Sequence, residues 1–179
     1  MSKVDTSDFI RKMNALGEAW KKIPDEVAAT AVNFSKERFR EQAWLDSTKE
    51  NWKPRKRRRK GGKTKSQTLL VNTGRLKRSI RKVYANENSV LIGTDVPYAQ
   101  IQNDGGIINK DVTVKQFQKK EYTRQRKGRT ERVKSHTVHS HQRKINVKIP
   151  SRRFIGNSLT LERRLYLLIT SRFMKALKQ

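Results

Sequence analysis

Cysteine is absent from this 179-residue sequence, and its absence excludes disulfides and thiol chemistry. Long apolar runs are absent too, because no stretch approaches the roughly 20 residues that a membrane-spanning helix needs. The first residues carry no apolar segment of the kind that a secretory signal requires. We therefore expect no thiol-based function, no membrane partner and a cytoplasmic site of synthesis.

Acidic residues are scarce: 16 Asp and Glu oppose 43 Lys and Arg, which gives a formal net charge of +27. Apolar residues make up only 34% of the chain, against roughly 45–50% in an ordinary globular protein. The length and this composition predict one domain with a modest core and long extensions. The charge far exceeds what solubility requires and indicates a polyanionic neighbour, either nucleic acid or an acidic protein surface.

Residue patterns typical of catalytic or metal sites are also missing from the sequence. His136, His139 and His141 are closely spaced, but they lie among cations and lack a fourth ligand, so their spacing does not predict a zinc site. Glu87 and Glu131 are isolated, whereas acid–base catalysis commonly uses paired carboxylates. We therefore predict a protein that is not an enzyme and that uses no cofactor and no metal.

Two helices are predicted in the first quarter of the chain. Residues 7–22 carry an apolar stripe at the spacing of a 3.6-residue period, which indicates core or subunit contact. Pro24 is suited to the first position of a second helix, predicted to run to about Trp44. The first stripe consists of Phe9, Met13, Leu16 and Trp20, and the inner side of the second helix of Val27, Ala28, Ala31, Val32, Phe34, Phe39 and Ala43.

The stretch of residues 69–106 carries the strongest strand and turn signals. Asn72-Thr73-Gly74 is a turn signal, because glycine tolerates positive φ and asparagine bonds its own backbone. Residues 79–85 and 90–94 have strand periodicity and predict a hairpin. Residues 98–101 predict a short helical turn that Gly105-Gly106 stops. A last helix is predicted over residues 159–177, capped by Asn157 or Ser158 and packed on the sheet.

Two extensions hold much of the positive charge. Residues 53–65 contain nine basic residues and no acid, which predicts a mobile loop that is either merely solvated or binds polyphosphate or faces a lumen. The pattern alone also fits a nuclear-localisation signal, which the motifs described below make a weaker alternative. Residues 110–149 predict a long hairpin arm with its tip at Lys127-Gly128-Arg129 and its base joined to the core sheet. The candidates for facing nucleic acid are Arg55, Lys56, Arg57, Arg58, Arg59, Lys60, Lys63, Lys65, Arg124, Arg126, Lys127 and Arg129.

The predicted fold class is α+β: a small antiparallel sheet packed against two or three helices, with a basic loop and a long basic hairpin arm. Within one domain we expect N-terminal helices over residues 1–50, the basic loop over 51–68 and the core hairpin over 69–109. The arm follows over residues 110–149, and a turn with the last helix over 150–179.

Several short motifs occur in a recognisable order. T-G-x-L-x-x-S-I begins at Thr73, V-x-I-G-T at Val90 and Y-A-x-I at Tyr98, followed by a Gly-Gly pair. W-x-P precedes them and R-x-F-[LI]-G follows them. This order resembles the virion-morphogenesis, or tail-completion, family of tailed phages, although Gln102 stands where many relatives have His. The residues matched, which we expect to be structural, are Trp52, Pro54, Thr73, Gly74, Leu76, Ser79, Gly93, Tyr98, Gly105, Gly106, Arg153, Phe154 and Gly156.

The resemblance implies a structural virion protein of the head–tail junction, which completes or caps the tail as a ring around the DNA channel. The implied partners are further copies in a ring, expected to be a hexamer, and the neighbouring neck and tail proteins. DNA in the channel is a further candidate partner. The alternative is a basic nucleic-acid-binding module, nucleoid- or ribosome-associated. It accounts for the charge equally well but leaves the motifs unexplained.

Overall fold

The computed structural model describes residues 6–54, 68–126 and 128–178. They form an α+β fold, as predicted, and they divide into two compact units. The core unit comprises the described residues up to Gly105 and from Pro150 onward, and the arm is Gly106–Ile149. The elements in chain order are α1 (Ser7–Glu41), β1 (Ala43–Leu45), β2 (Lys49–Asn51), α2 (Arg75–Ser79), β3 (Arg81–Ala85), β4 (Val90–Gly93), α3 (Ala99–Asp104), β5 (Gly106–Val114), β6 (Phe117–Lys119), β7 (Tyr122–Arg126), β8 (Arg129–Val133), β9 (His136–Val138), β10 (His141–Ile149) and α4 (Leu159–Leu177).

The two predicted N-terminal helices are one helix, α1, with Pro24 inside it. Proline removes one helical hydrogen bond and crowds the carbonyl four residues earlier, which disfavours an interior position. Contacts with α4 lie on both sides of Pro24: Trp20 stacks on Phe173 at 5.8 Å, and Glu26 pairs with Arg172 at 2.6 Å. This packing offsets the local cost, so the helix continues to Glu41.

Helix α4 has the predicted bounds, and Ser158 is its cap: the hydroxyl accepts a hydrogen bond from the Leu161 N–H at 3.2 Å. Asp46, which follows β1, accepts a second bond from the Leu159 N–H at 2.7 Å. Both bonds satisfy backbone donors that the first helical turn leaves free. The helix packs mainly against α1 rather than on the sheet, and α1 in turn packs against β3 and β4.

Strands β3 and β4 form the predicted antiparallel hairpin, with a register shift between Lys82 and Tyr84. The side chain of Asn86 closes its turn by accepting bonds from the Asn88 and Ser89 N–H groups. The first strand begins two residues later than predicted, because α2 precedes it. Glu41 likewise ends α1 before the predicted Trp44, which instead lies in the short β1–β2 pair.

The arm is the predicted long hairpin, built from three successive antiparallel pairs. Strand β5 pairs with β10, β6 with β9 and β7 with β8. The chain reverses at Gly128, whose φ of 78° lies in the region that favours glycine. The expectation that the base of the arm joins the core sheet is wrong. In the described chain β5 and β10 form a two-stranded sheet of their own, and β3 and β4 form another.

The apolar core lies in the core unit. Its central cluster consists of Phe39, Trp52, Leu76, Ile80, Val96, Ala99 and Phe154, all buried. The predicted inner side of the second helix is largely confirmed, since Ala28, Ala31, Phe34 and Phe39 are buried. Across the described ranges, no helix combines the length and apolarity that crossing a bilayer would need.

Candidate functional site: a motif cluster, a cationic arm and exposed apolar surfaces

The segments that carry the motifs meet at one place in the core unit. The Phe39 ring lies 5.6 Å from the Trp52 ring and 5.0 Å from the Phe154 ring, measured between centroids. Leu76 of the T-G-x-L motif is buried in the same cluster. Aromatic pairs at these separations add to the stability gained from burial. The W-x-P, T-G-x-L and R-x-F-[LI]-G motifs therefore form one cluster, although about 100 residues separate the first from the last.

Hydrogen bonds fix the turn that holds Phe154. The Trp52 indole donates to the Arg153 carbonyl at 3.0 Å. The Asn103 side-chain carbonyl accepts from the Phe154 and Ile155 N–H groups at 2.9 and 3.0 Å. A buried polar group without a partner costs free energy, so these bonds specify one geometry for the turn. Asn103 was not singled out from the sequence, where it appears only as a polar residue before a glycine pair.

The arginine that anchors this turn is Arg152 rather than Arg153. Arg152 is buried, and its guanidinium donates twice to the Lys53 carbonyl, at 3.2 and 3.0 Å. Arg153 was expected to pair with Asp95 or Asp104. Its guanidinium instead lies 5.5 Å from the Trp44 ring, and neither carboxylate pairs with it within the described parts of the chain. Arg152 is the first residue of R-x-F-[LI]-G, whereas the sequence analysis named Arg153 as the structural arginine.

Four of the motif glycines have positive φ: Gly74, Gly105, Gly106 and Gly156. Gly74 has φ 72° and precedes α2, and Gly105 has φ 77° and ends α3. The predicted positive φ at Gly74 is confirmed, but the element it enters is a helix rather than a strand. A Cβ at Gly93 would lie 3.2 Å from the Val83 side chain, which explains a small residue in β4. At Gly156 a Cβ would lie 3.4 Å from Arg153.

Among the other motif residues, Ser79 and Thr73 form local hydrogen bonds. The hydroxyls of Ser79 and Thr94 lie 2.6 Å apart and join α2 to the end of β4. The Thr73 carbonyl accepts a bond from Arg78 at 2.9 Å. Pro54, Tyr98 and Gly106 are exposed. No role in holding the core together is visible for these three among the described residues.

The described basic candidates lie near the tip of the arm. Arg126 and Arg129 are directly opposite each other in the β7–β8 register, an arrangement that like charges disfavour. Arg124 pairs with Glu131 at 2.9 Å, and the hydrogen bond from Arg124 lowers the pKa of the Glu131 carboxyl. Arg55, Lys56, Arg57, Arg58, Arg59, Lys60, Lys63, Lys65 and Lys127 lie outside the described residues.

The three histidines lie in the arm, and two of them contact local backbone. The His136 Nδ1 is 3.1 Å from the Lys134 carbonyl, and the His141 Nδ1 is 2.9 Å from the His139 carbonyl. Within the residues that the structure describes, no three His, Asp or Glu side chains are grouped as metal ligands would be.

Large apolar side chains are exposed on both long helices. Phe9, Ile10 and Met13 of α1 are 66%, 54% and 51% exposed, and Tyr166 and Leu167 of α4 are 69% and 66% exposed. Apolar surfaces of this kind mark interaction sites when they are contiguous. The predicted stripe on residues 7–22 is therefore largely outside the core, which favours the subunit-contact interpretation.

Two polar residues with a structural role, Arg38 in α1 and Gln42 directly after it, were not predicted from the sequence. Arg38 is fully buried, lies 4.4 Å from the Phe34 ring and reaches Glu41 at 3.2 Å. Gln42 has φ 55° and exchanges two hydrogen bonds with the Leu69 backbone, at 2.6 and 3.2 Å. The only sequence signal for Arg38 is its position within the apolar stripe of the second predicted helix.

Comparison with known proteins identifies the family to which this chain belongs. A family model described as the phage virion morphogenesis family matches residues 5–173. The chain belongs to this family, and its role is structural or assembly-related in a phage virion. No curated protein and no solved structure matches the chain.

Proposed function

We propose that this protein completes or caps the phage tail at the head–tail junction, as a ring of identical subunits around the DNA channel. The observation that carries the proposal is the contrast between a packed motif cluster and large exposed apolar surfaces. Phe9, Ile10, Tyr166 and Leu167 are each more than half exposed. A virion protein that buries such side chains against neighbouring subunits gains the stability that the isolated chain lacks.

The charge supports a position around DNA. A channel that conducts DNA meets a dense line of phosphates, and the chain carries a net charge of +27. In the arm, Arg126 and Arg129 are exposed and lie side by side across the strand pair. Phosphate contact would relieve their mutual repulsion. The proposed partners are further copies of the chain, the adjacent neck and tail proteins, and DNA in the channel.

Salt separates ring assembly from DNA binding. Phosphate contacts release counterions, and about five of them weaken binding roughly a thousandfold between 50 and 200 mM salt. Apolar burial is little affected by salt. Multi-angle light scattering of nuclease-treated protein should therefore show the ring persisting at ~0.5 M salt, while association with added DNA is lost.

Two deletions sharpen this experiment. Removing residues 55–63 should leave fold and ring intact, whereas removing residues 112–147 should destabilise the ring. A wild-type particle that falls to monomer at the salt concentration that releases DNA would contradict the ring. That result would favour the alternative, a nucleic-acid-binding module, for which the Arg126–Arg129 pair is the supporting observation.

The role at the junction has its own test. Phage grown without this protein should yield separate heads and tails in electron micrographs. Purified wild-type protein added to that lysate should restore joined, infectious particles. Joined particles in the absence of the protein would contradict the proposal.

A further inference from the structure

The base of the arm has one apolar face. In the β5–β10 register, opposite residues share a face and alternate residues lie on opposite faces. One face, which we call the ribbon face, carries six apolar side chains. Its polar residues are Lys110 and Arg143 at the centre and His141 at one end. Its apolar residues are Ile108, Val112, Val114, Ile145, Val147 and Ile149. The opposite face is mainly polar, with Lys144, Lys148 and Asp111 among its residues.

The ribbon face needs a partner. Two-stranded hairpins are marginally stable in water unless a hydrophobic face packs against another element. Ile108 is 37% exposed and Val147 is 47% exposed, and none of the arm's described residues is among the buried ones. A second ribbon face is a poor partner, because stacking two of them would bring the Lys110 and Arg143 cations of both copies together. The complementary surface must be apolar and acidic.

The core unit has such a surface beside β4. A groove of about 440 Å³ is lined by Ile92, Val96 and Ile155, with Asp95 and Asp104 among its polar residues. Both carboxylates are exposed, and neither has a cationic partner among the described residues, although basic residues outnumber acidic ones 43 to 16. Asp104 accepts a hydrogen bond from the Asn103 amide, at 2.7 Å. Charge and apolarity are both complementary to the ribbon face.

The backbone at the groove can also accept a strand. Among the described strands, β4 pairs only with β3, so its other edge offers unpaired N–H and C=O groups. Such an edge is a template for strand addition from another chain. Strand β5 or β10 of a second copy would supply both the backbone partners and the basic side chains.

We propose that the groove beside β4 binds the ribbon face of a second copy of this chain, with Lys110 and Arg143 facing Asp95 and Asp104. This inference rests on the proposed ring and names the surfaces that hold it. The two surfaces differ, so the contact is head-to-tail, and repeated contacts of this type close into a ring or continue as a filament. An interface between two identical surfaces would stop at a dimer.

Charge reversal tests the contact. The groove variant combines Asp95→Lys with Asp104→Lys, and the ribbon variant combines Lys110→Glu with Arg143→Glu. Each should weaken self-association about tenfold or more, measured by light scattering across a dilution series, because like charges then face each other. The four substitutions in one chain should recover most of the lost affinity. An equimolar mixture of the two variants should also assemble, since each groove then meets a complementary ribbon face from the other chain.

Matched controls separate this contact from net charge. Glu50→Lys with Glu87→Lys makes the same charge change away from the groove, and Lys115→Glu with Lys148→Glu makes it in the arm outside the ribbon face. Both should assemble like the wild type. Circular dichroism melts recorded at a dilution at which the wild type is also dissociated should match for the wild type, the groove variant and its Glu50, Glu87 control, because the substituted core-unit acids are exposed.

Three outcomes would overturn the inference. Groove and ribbon variants that assemble like a ring-forming wild type would refute this contact and leave the proposed ring standing. Recovery in the four-substitution chain without recovery in the mixture would place the contact within one chain. A wild-type chain that stays monomeric at every concentration would overturn the inference and the ring together.

Discussion

The core unit and the arm are held together in different ways. Every buried residue of the described chain lies in the core unit, where Phe34, Phe39 and Phe154 are each only 1% exposed. The arm has backbone pairing along its length but no buried side chain among its described residues. Hydrophobic burial dominates folding free energy. The core unit can therefore fold by its own burial, whereas side-chain burial contributes little to the stability of the arm.

Ion pairs in the two units differ mainly in how exposed the acidic partner is. In the core unit, Arg164 pairs with Glu37 at 2.9 Å and so ties α4 to α1. In the arm, Arg124 pairs with Glu131 at 2.9 Å across one hairpin, and both side chains are about half exposed. Exposed pairs contribute little. The described ion pairs of the arm therefore add little to its stability.

The largest expected effect is that of Phe154→Ala in the core unit. It removes a ring that contacts Phe39 and leaves a cavity, which should cost about 3–5 kcal/mol of unfolding free energy. Urea denaturation would measure it. The control is Phe117→Ala in the arm, where the ring is 48% exposed; it should cost less than about 0.5 kcal/mol. Equal costs at the two positions would remove the distinction between the units.

Arg38→Ala should have the next largest effect on the free energy of unfolding. It removes a fully buried side chain that packs on the Phe34 ring. The guanidinium of this side chain also donates hydrogen bonds to the Phe34 carbonyl and to the Glu41 carboxylate. Lost packing and unsatisfied groups should together cost about 2–3 kcal/mol, again measured by urea denaturation. Arg124→Ala in the arm is the matched control, and its melting temperature should stay near that of the wild type. An unchanged melt for Arg38→Ala would contradict a structural role for this arginine.

Gly74→Val should cost about 1–3 kcal/mol, because valine is strained at a φ of 72°. The added Cβ would also lie 2.8 Å from the Arg78 guanidinium, which must move. Gly17→Ala is the control: Gly17 lies inside α1 with open space around it, so alanine should stabilise by about 0.5–1 kcal/mol. Opposite shifts in melting temperature are expected, and a neutral Gly74→Val would refute the strain.

The smallest effect concerns Glu37. Burial raises the pKa of its carboxyl, but the hydrogen bond and charge of Arg164, with the charge of Arg38, outweigh this and lower the pKa below its usual 4.5. A lowered pKa stabilises the fold above pH 4.5, and that contribution is lost as the pH falls through the folded-state value. Glu37→Gln should therefore reduce the melting temperature at pH 7, and the difference from the wild type should shrink as the pH falls below 4.5. A difference that grows toward low pH would contradict this sign.

Local signals in the sequence predicted much of the fold. Helix α4 begins and ends where its periodicity and the Ser158 cap place it, and the arm's reversal at Gly128 follows from glycine's tolerance of positive φ. Pro24 was misleading because the contacts of α1 with α4 on both sides of it outweigh proline's local cost. Helix α2 and strands β1 and β2 have only three to five residues, too few for periodicity to show.

The candidate site was predictable in part. The motif order pointed to Trp52 and Phe154, which the structure brings into one cluster. Asn103, Arg152 and Gln42 were missed because their roles arise from backbone groups distant in sequence, as when Asn103 accepts bonds from the Phe154 turn. Such contacts leave no periodic pattern. The basic loop remains a prediction, since residues 55–67 lie outside the described chain.

Hydrogen exchange measured by mass spectrometry tests most directly whether the core unit folds by its own burial and the arm is ordered by assembly. It should compare the wild-type assembly with the dissociated chain obtained by dilution or with the Lys110→Glu, Arg143→Glu variant. Peptides of α1 and of the Phe154 turn should be protected in both states, and peptides of β5 and β10 only in the assembly. Equal protection of β5 and β10 in both states would contradict the account.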